Sequence, residues 1–297
     1  MKRLTESANS FVELLLVGLL CAFLATSCSD EKAPRVRRAL TDRDFAREAM
    51  KVKKLLGEDF IVEVERPFVL AGNVSRAEFN RIKNGTVLNC YQAFYRQFFS
   101  VRPNDILKVF LFRDDKTYRE YARKLFDDEP TTPYGYYKRE QKSLVMNIGT
   151  GTGTLVHEMV HALIETDFPD VPSWFNEGLG SLFEQCMVTE AGLKGLVNWR
   201  LPILQRAIEE KKLVSLRKLV STTSKKFYGD ERGTNYAEAR YFCMYMQELG
   251  LLEKFYKEFR ANFKKDPTGS KTLQRIFRKN LDDVQRDWLT WVSTLRR

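Results

Sequence analysis

The chain has 297 residues, 43% of them hydrophobic, and only two histidines. That is enough apolar material to bury a full core in one large domain or two tightly joined ones, which excludes a disordered chain. Lys and Arg outnumber Asp and Glu by 49 to 39, a net charge of +10. Such a balance suits anionic partners without identifying one, and with no zinc-finger or RNP pattern no nucleic-acid partner is expected.

The N-terminus reads as an export signal. Lys2 and Arg3 precede an apolar run from Leu14 to Ala25, shorter than the roughly 20 residues that span a bilayer, and small residues follow it. Leu24-Ala25-Thr26-Ser27-Cys28 resembles a bacterial lipobox, although Ala25 stands where the leucine usually does. Residues 1–27 are therefore expected to be a lipoprotein signal peptide and Cys28 the lipidated first residue. An ordinary signal peptidase cutting before Cys28 would leave the same start. Removing the signal takes two basic and two acidic residues, so the charge is unchanged. Ser29, where enteric lipoproteins retained in the inner membrane carry an aspartate, implies by that resemblance access to the outer membrane. The expected location is the cell envelope, with a lipid anchor and a charged tether over residues 28–40. Cys90, Cys186 and Cys243 lie in apolar helical patterns and form an odd set, so no disulfide is assigned.

From Thr41 the spacing of TDRDFAREAMKVKKLLG predicts a helix closed by Gly57. Phe60–Val64 alternates as a strand does. Ser75 and Glu78 make a capping-box pattern that opens a long helix through Leu88, Tyr91, Phe94 and Phe98. Ile106–Phe112 reads as a buried strand, Lys116–Phe126 as a helix and Ser143–Ile148 as a strand. The following GTGTG lacks the Gly-Lys-Ser/Thr ending of a phosphate loop. It is read as a flexible connection that lets Thr152 or Thr154 cap the next helix.

The stretch Thr152–Glu184 carries the chemistry. His157 and His161 stand four apart, so on a helix both imidazoles aim at one point, and Glu158 follows the first histidine as the general base does in H-E-x-x-H metalloproteases. A catalytic zinc site ordinarily takes a third protein ligand and keeps one position for water. Asp167–Pro172 breaks the helix, and Ser173 is expected to cap a second one. If the two form a hairpin turning near Pro169 and Asp170, Glu177 lies opposite Ala162, beside His161, and is the expected third ligand. Glu165, one turn beyond His161, is better placed to support the site than to complete it. Glu184, two turns past Glu177, is expected to be too far along the axis. The competing readings are a chance H-E-x-x-H and, for Glu177, a solvated helix carboxylate.

Beyond Glu184 the pattern is mainly helical. Pro202 suits a helix start, Gly229–Gly233 a loop, and helices are expected over Asn235–Leu249, Leu251–Lys264 and Asp282–Leu295. Leu281, Val284, Trp288, Trp291 and Leu295 recur at helical spacing, so both tryptophans are expected to pack the helical part.

HEMVH followed by WFNEGLGSLFE resembles the gluzincin metallopeptidases, the peptidase MA-like group related to thermolysin. The likeness extends more loosely to ILKVFLFRDDKTYREYA, YGYYKREQKSLVMNIGTGTGTLVHE and NYAEARYFCMYMQEL. It implies an α+β, zincin-like domain over 41–297 with a small mixed sheet and a mainly helical C-terminal lobe from about residue 188. It also implies a Zn2+ ion held by His157, His161 and Glu177, and cleavage of a peptide or protein substrate by a zinc-activated water with Glu158 as base. In this family the strand bordering the cleft pairs with extended substrate, which points to Ser143–Ile148 or its neighbour. A later helix often supplies a phenol for the oxyanion, for which Tyr236 is the candidate; a buried aromatic is the plain alternative, with Tyr228, Tyr241 and Tyr245 nearby. Asn176 either binds substrate backbone or steadies the ligand helix. The alternative function is a catalytically inactive zinc-binding envelope lipoprotein, a scaffold or binding module. A purely structural zinc, however, usually has four protein ligands and needs no base.

Overall fold

Strands that are apolar on both sides organise the chain. In β2 (Phe68–Gly72), β3 (Leu107–Phe112) and β5 (Ser143–Asn147) nearly every residue is buried. Successive side chains serve opposite layers, as a period of two requires. Phe68, Leu70, Val109, Leu111, Leu144 and Met146 face one core, while Val69, Ala71, Phe110, Phe112 and Val145 face another. These three strands run parallel. β1 (Ile61–Glu65) flanks β2 and β4 (Gly135–Lys138) flanks β5, both antiparallel, giving the order β1-β2-β3-β5-β4. The computed structural model from which this is read describes residues 38–230 and 232–296. The signal segment and Cys28 lie outside them.

The second of these cores is closed by α1 (Asp42–Leu56), through Phe45, Val52 and Leu56, and by α4 (Asp115–Phe126), through Tyr118 and Ala122. Both helices start where the sequence offers a cap: Thr41 forms a capping box with Asp44, and Asp114 accepts from the Thr117 amide. The first core is closed by the long helix foreseen after Ser75, whose hydroxyl accepts from the Glu78 amide. That helix is not uniform. Its two ends, α2 (Arg76–Ile82) and α3 (Asn89–Gln97), are joined by a π-helical segment over Lys83–Leu88 that contains Gly85.

Two strands escape the sequence reading. β2 follows a cis Arg66–Pro67 bond and has no polar alternation to mark it, while β4 is a short GYYK whose four residues are all half-buried. Of the two strands foreseen for substrate pairing, Ser143–Ile148 or its neighbour, β5 is paired on both sides, whereas β4 is an edge strand, as β1 is at the other end.

After β5 come α5 (Gly153–Asp167) and α6 (Ser173–Phe183), packed against each other. Thr152 stands at the start of α5 without a side-chain capping bond. Ser173 does not cap α6 either. It is already helical, Pro172 precedes it, and its hydroxyl donates to Ser224 Oγ at 2.7 Å. A small ribbon of β6 (Cys186–Val188) and β7 (Leu193–Gly195) then leads into helices. These are α7 (Leu201–Glu209, with Pro202 in its first turn), the short α8 (Leu216–Val220) and α9 (Ser224–Phe227), α10 (Arg232–Glu248), α11 (Leu252–Asn262), α12 (Ser270–Phe277) and α13 (Leu281–Thr294). The expected Gly229–Gly233 loop is shorter than foreseen, since Gly233 is already in α10.

α10 is buried almost all round from Ala237 to Met246 and is the axis of this part. Trp288 of α13 lies against Phe242 and donates to the Tyr241 carbonyl at 3.2 Å. Trp174 of α6 is enclosed by Phe175, Phe242, Phe255 and Phe259. α6 meets α10 where Gly178 sits: a Cβ there would lie 2.8 Å from the Ala239 carbonyl oxygen, so only glycine permits this approach. The fold class is α+β. Residues from Ala39 onwards form one compact unit, and no described helix is long and apolar enough to cross a membrane.

Candidate metal centre

α5 and α6 bring together the three residues that the sequence singles out as ligands. Nε2 of His157 lies 3.1 Å and Nε2 of His161 3.4 Å from the same oxygen, Oε2 of Glu177. The donor atoms of the three residues lie within 4.8 Å of one another, and His157 and Glu177 are buried. The group is able to hold a metal ion. Two imidazole nitrogens and a carboxylate oxygen are a donor set of the kind found in open catalytic sites, where three protein ligands leave a further position free.

Each ring is aimed by a bond to its other nitrogen, which sets the tautomer that leaves Nε2 free for an ion. His161 Nδ1 lies 3.0 Å from Oδ1 of Asn176. Asn176 on α6 thus holds the His161 ring on α5, a contact different from either role foreseen for it. His157 Nδ1 lies 3.1 Å from Oε1 of Glu184. Glu184 is held in turn by Arg200, whose Nη2 and Nε donate at 2.8 and 3.1 Å, and by Asn198 at 3.4 Å. Arg200 also covers the rings of Trp199 and Tyr236.

Glu184 is thus not remote from the site but behind its first histidine. The register that sets Glu177 opposite Ala162 also sets Glu184 opposite Leu155, close to His157, and that register was available from the sequence. Asn198 and Arg200 carried no such signal, because the β6–β7 ribbon that returns them is made of two three-residue strands. Glu165 contacts none of the three candidate donors. Its carboxylate takes the Tyr137 hydroxyl at 2.7 Å and Lys142 Nζ at 2.8 Å, tying α5 to the edge of the sheet.

Space for the rings is made by a second glycine of α6. A Cβ at Gly180 would lie 3.1 Å from His157 Nε2, on the atom that an ion would need. Glu158 is half-buried, with the backbone amide of Tyr137 on β4 directed at its carboxylate. Burial pushes its pKa up, and the neighbouring histidines and that amide oppose the shift.

Two phenols complete the surroundings. Tyr228, 42% exposed, donates to Oε1 of Glu177 at 2.6 Å; its place next to the ligand could not be foreseen. Tyr236 is half-buried with its ring nearly parallel to that of His157, centroids 6.4 Å apart. Burial and the charge of Glu177 raise the pKa of both hydroxyls, so both stay protonated donors at neutral pH. The sequence matches no protein-family model and no curated protein.

Without an ion, both imidazoles bind protons more tightly than a free histidine does. Burial works against this, but hydrogen bonds to Glu177 and Glu184 raise His157 to about 10, and the charge of Glu177 raises His161. Glu177 stays ionised, well below the usual carboxylate range, because both histidines oppose its desolvation. An ion must displace those protons. Metal affinity is therefore expected to rise with pH from 6 to 9, with roughly one to two protons released per ion. Calorimetric titration in buffers of different ionisation enthalpy measures this directly; affinity independent of pH would contradict it.

Proposed function

We propose that the protein is a zinc-dependent metallopeptidase of gluzincin type, held at the cell envelope through a lipid on Cys28. The observation that carries the enzymatic reading is the convergence of two imidazoles and Glu177 on one point, with Glu158 on the adjacent helical position facing the free edge of β4. His157, His161 and Glu177 would hold the ion. Zinc in such a site lowers the pKa of water towards about 7 and polarises a carbonyl, which is the chemistry that peptide hydrolysis requires.

The chain's own residues do the rest. Glu158 takes a proton from the attacking water and passes it to the leaving amine. Its desolvated setting raises its proton affinity towards that of a useful acid as well as a base. β4 is an edge strand, and apart from the Tyr137 amide, which Glu158 takes, its outward backbone groups would pair with an extended peptide and align the substrate's main chain. Tyr236 donates to the developing oxyanion, and Tyr228 keeps Glu177 in position.

The two phenols are separable by experiment. Tyr236→Phe is expected to lower kcat by about 10²–10³-fold with zinc content unchanged. Tyr228→Phe, which removes the 2.6 Å hydrogen bond on Oε1 of Glu177, is expected to lower zinc affinity by roughly 10–100-fold. Reversed effects would exchange the two roles.

The whole reading is tested on the purified full chain by elemental analysis for zinc and by mass spectrometry of a mixed peptide library. Cleavage abolished by a chelator and restored by zinc is expected. Folded protein that binds no zinc, or binds it and cleaves nothing, would sink the proposal.

A further inference from the structure

The described residues include three free cysteines. Cys243 is buried in α10, where its sulfur abuts Gly178. The other two face each other. Cys90, only 3% exposed, stands in the first turn of α3, and half-buried Cys186 is the first residue of β6. α3 and β6 are packed together, and the Cys90 and Cys186 side chains are neighbours across that contact. A second contact holds the same ribbon to the same helix, as the amide of Leu193 on β7 donates to the Gln97 side chain of α3 at 3.0 Å. Arg240, fully buried, bonds the carbonyls of Leu182 and Leu196, has no hydrogen-bond partner for Nε, and places its charge on Cys186. An adjacent guanidinium favours the thiolate, which is the nucleophile of thiol–disulfide exchange.

We propose that Cys90 and Cys186 are a redox pair that closes to a disulfide in an oxidising thiol–disulfide environment, stapling the β6–β7 ribbon to α3. With glutathione disulfide as oxidant, the Cys186 thiolate attacks one of its sulfurs and releases one glutathione. Cys90 then attacks the mixed disulfide at Cys186 and releases the second. Two electrons pass from the protein sulfurs to glutathione, and the two thiol protons end on the two glutathione molecules.

The position gives the bond its consequence. The ribbon joins Glu184, which aims His157, to Asn198 and Arg200, which hold Glu184. A covalent tie at Cys186 fixes this support two residues beyond Glu184. The closed loop runs from Cys90 to Cys186 and includes β3, β4, β5, α5 and α6, a long loop of the kind whose closure restricts the unfolded chain most. The pairing does not depend on the metallopeptidase reading.

The test uses the full chain, incubated folded with glutathione disulfide or with dithiothreitol, alkylated, and digested without reduction. A Cys90–Cys186 linked peptide is expected by mass spectrometry in the oxidised sample and not in the reduced one. Oxidation is expected to raise Tm by about 10 °C in the wild type and to leave Cys186→Ser unchanged. Two freely alkylated thiols after oxidation, or either one joined to a different cysteine, would overturn the pairing. Equal Tm for linked and reduced wild type would overturn the stapling role.

Discussion

Glu158→Gln is expected to lower peptide cleavage by about 10²–10⁴-fold, the range that a positioned general base contributes, with zinc content unchanged. The change removes one ionisable oxygen and keeps the shape of the side chain. None of the metal donors is touched, because they come from His157, His161 and Glu177. Amide nitrogen cannot accept the proton that the carboxylate accepts. The result is read from initial rates on a peptide that the wild type cleaves, beside elemental analysis of the same preparations. A variant that keeps wild-type rates would show that Glu158 does no proton transfer. Loss of rate together with loss of zinc would mean that the substitution had disturbed the site.

Glu177→Ala is expected to abolish zinc retention through dialysis, with loss of all cleavage. It removes the only anionic donor in the group and leaves a void between the rings of His157 and His161, whose nitrogens both lie against its oxygen. Glu184→Gln marks the lower rung of the same scale. There the amide oxygen can still accept from His157 Nδ1, but the ion pair with Arg200 is lost, and a fall in zinc affinity of roughly 10–100-fold is expected. Competition with a chromophoric chelator measures both. If Glu177→Ala binds zinc as tightly as Glu184→Gln, Glu177 is not a ligand.

Much of the fold was legible because its elements are marked locally. Thr41 and Ser75 announce helix starts through side-chain bonds to the next turn, and β3 and β5 are apolar runs too short for helices. β2 and β4 were missed because nothing local distinguishes a five-residue apolar stretch after proline, or GYYK, from a loop. Their identity as strands comes from partners at Leu107–Leu111 and at Ser143–Met146. Ser173 was misplaced for a related reason. Its hydroxyl suits a cap, but packing of α9 offers Ser224 instead.

For the site, the histidine spacing and the hairpin break are written into adjacent residues, so the amino-acid order by itself determined the three converging donors and the base beside them. Helical repeat and chain reversal fix those positions within one short segment. The support of His157 by Glu184, Asn198 and Arg200, the clasp of Tyr228 on Glu177, and the placing of β4 at an edge of the sheet were decided only by tertiary structure. Each depends on segments distant in sequence being returned to one place, and the burial that drives their return has no direction of its own.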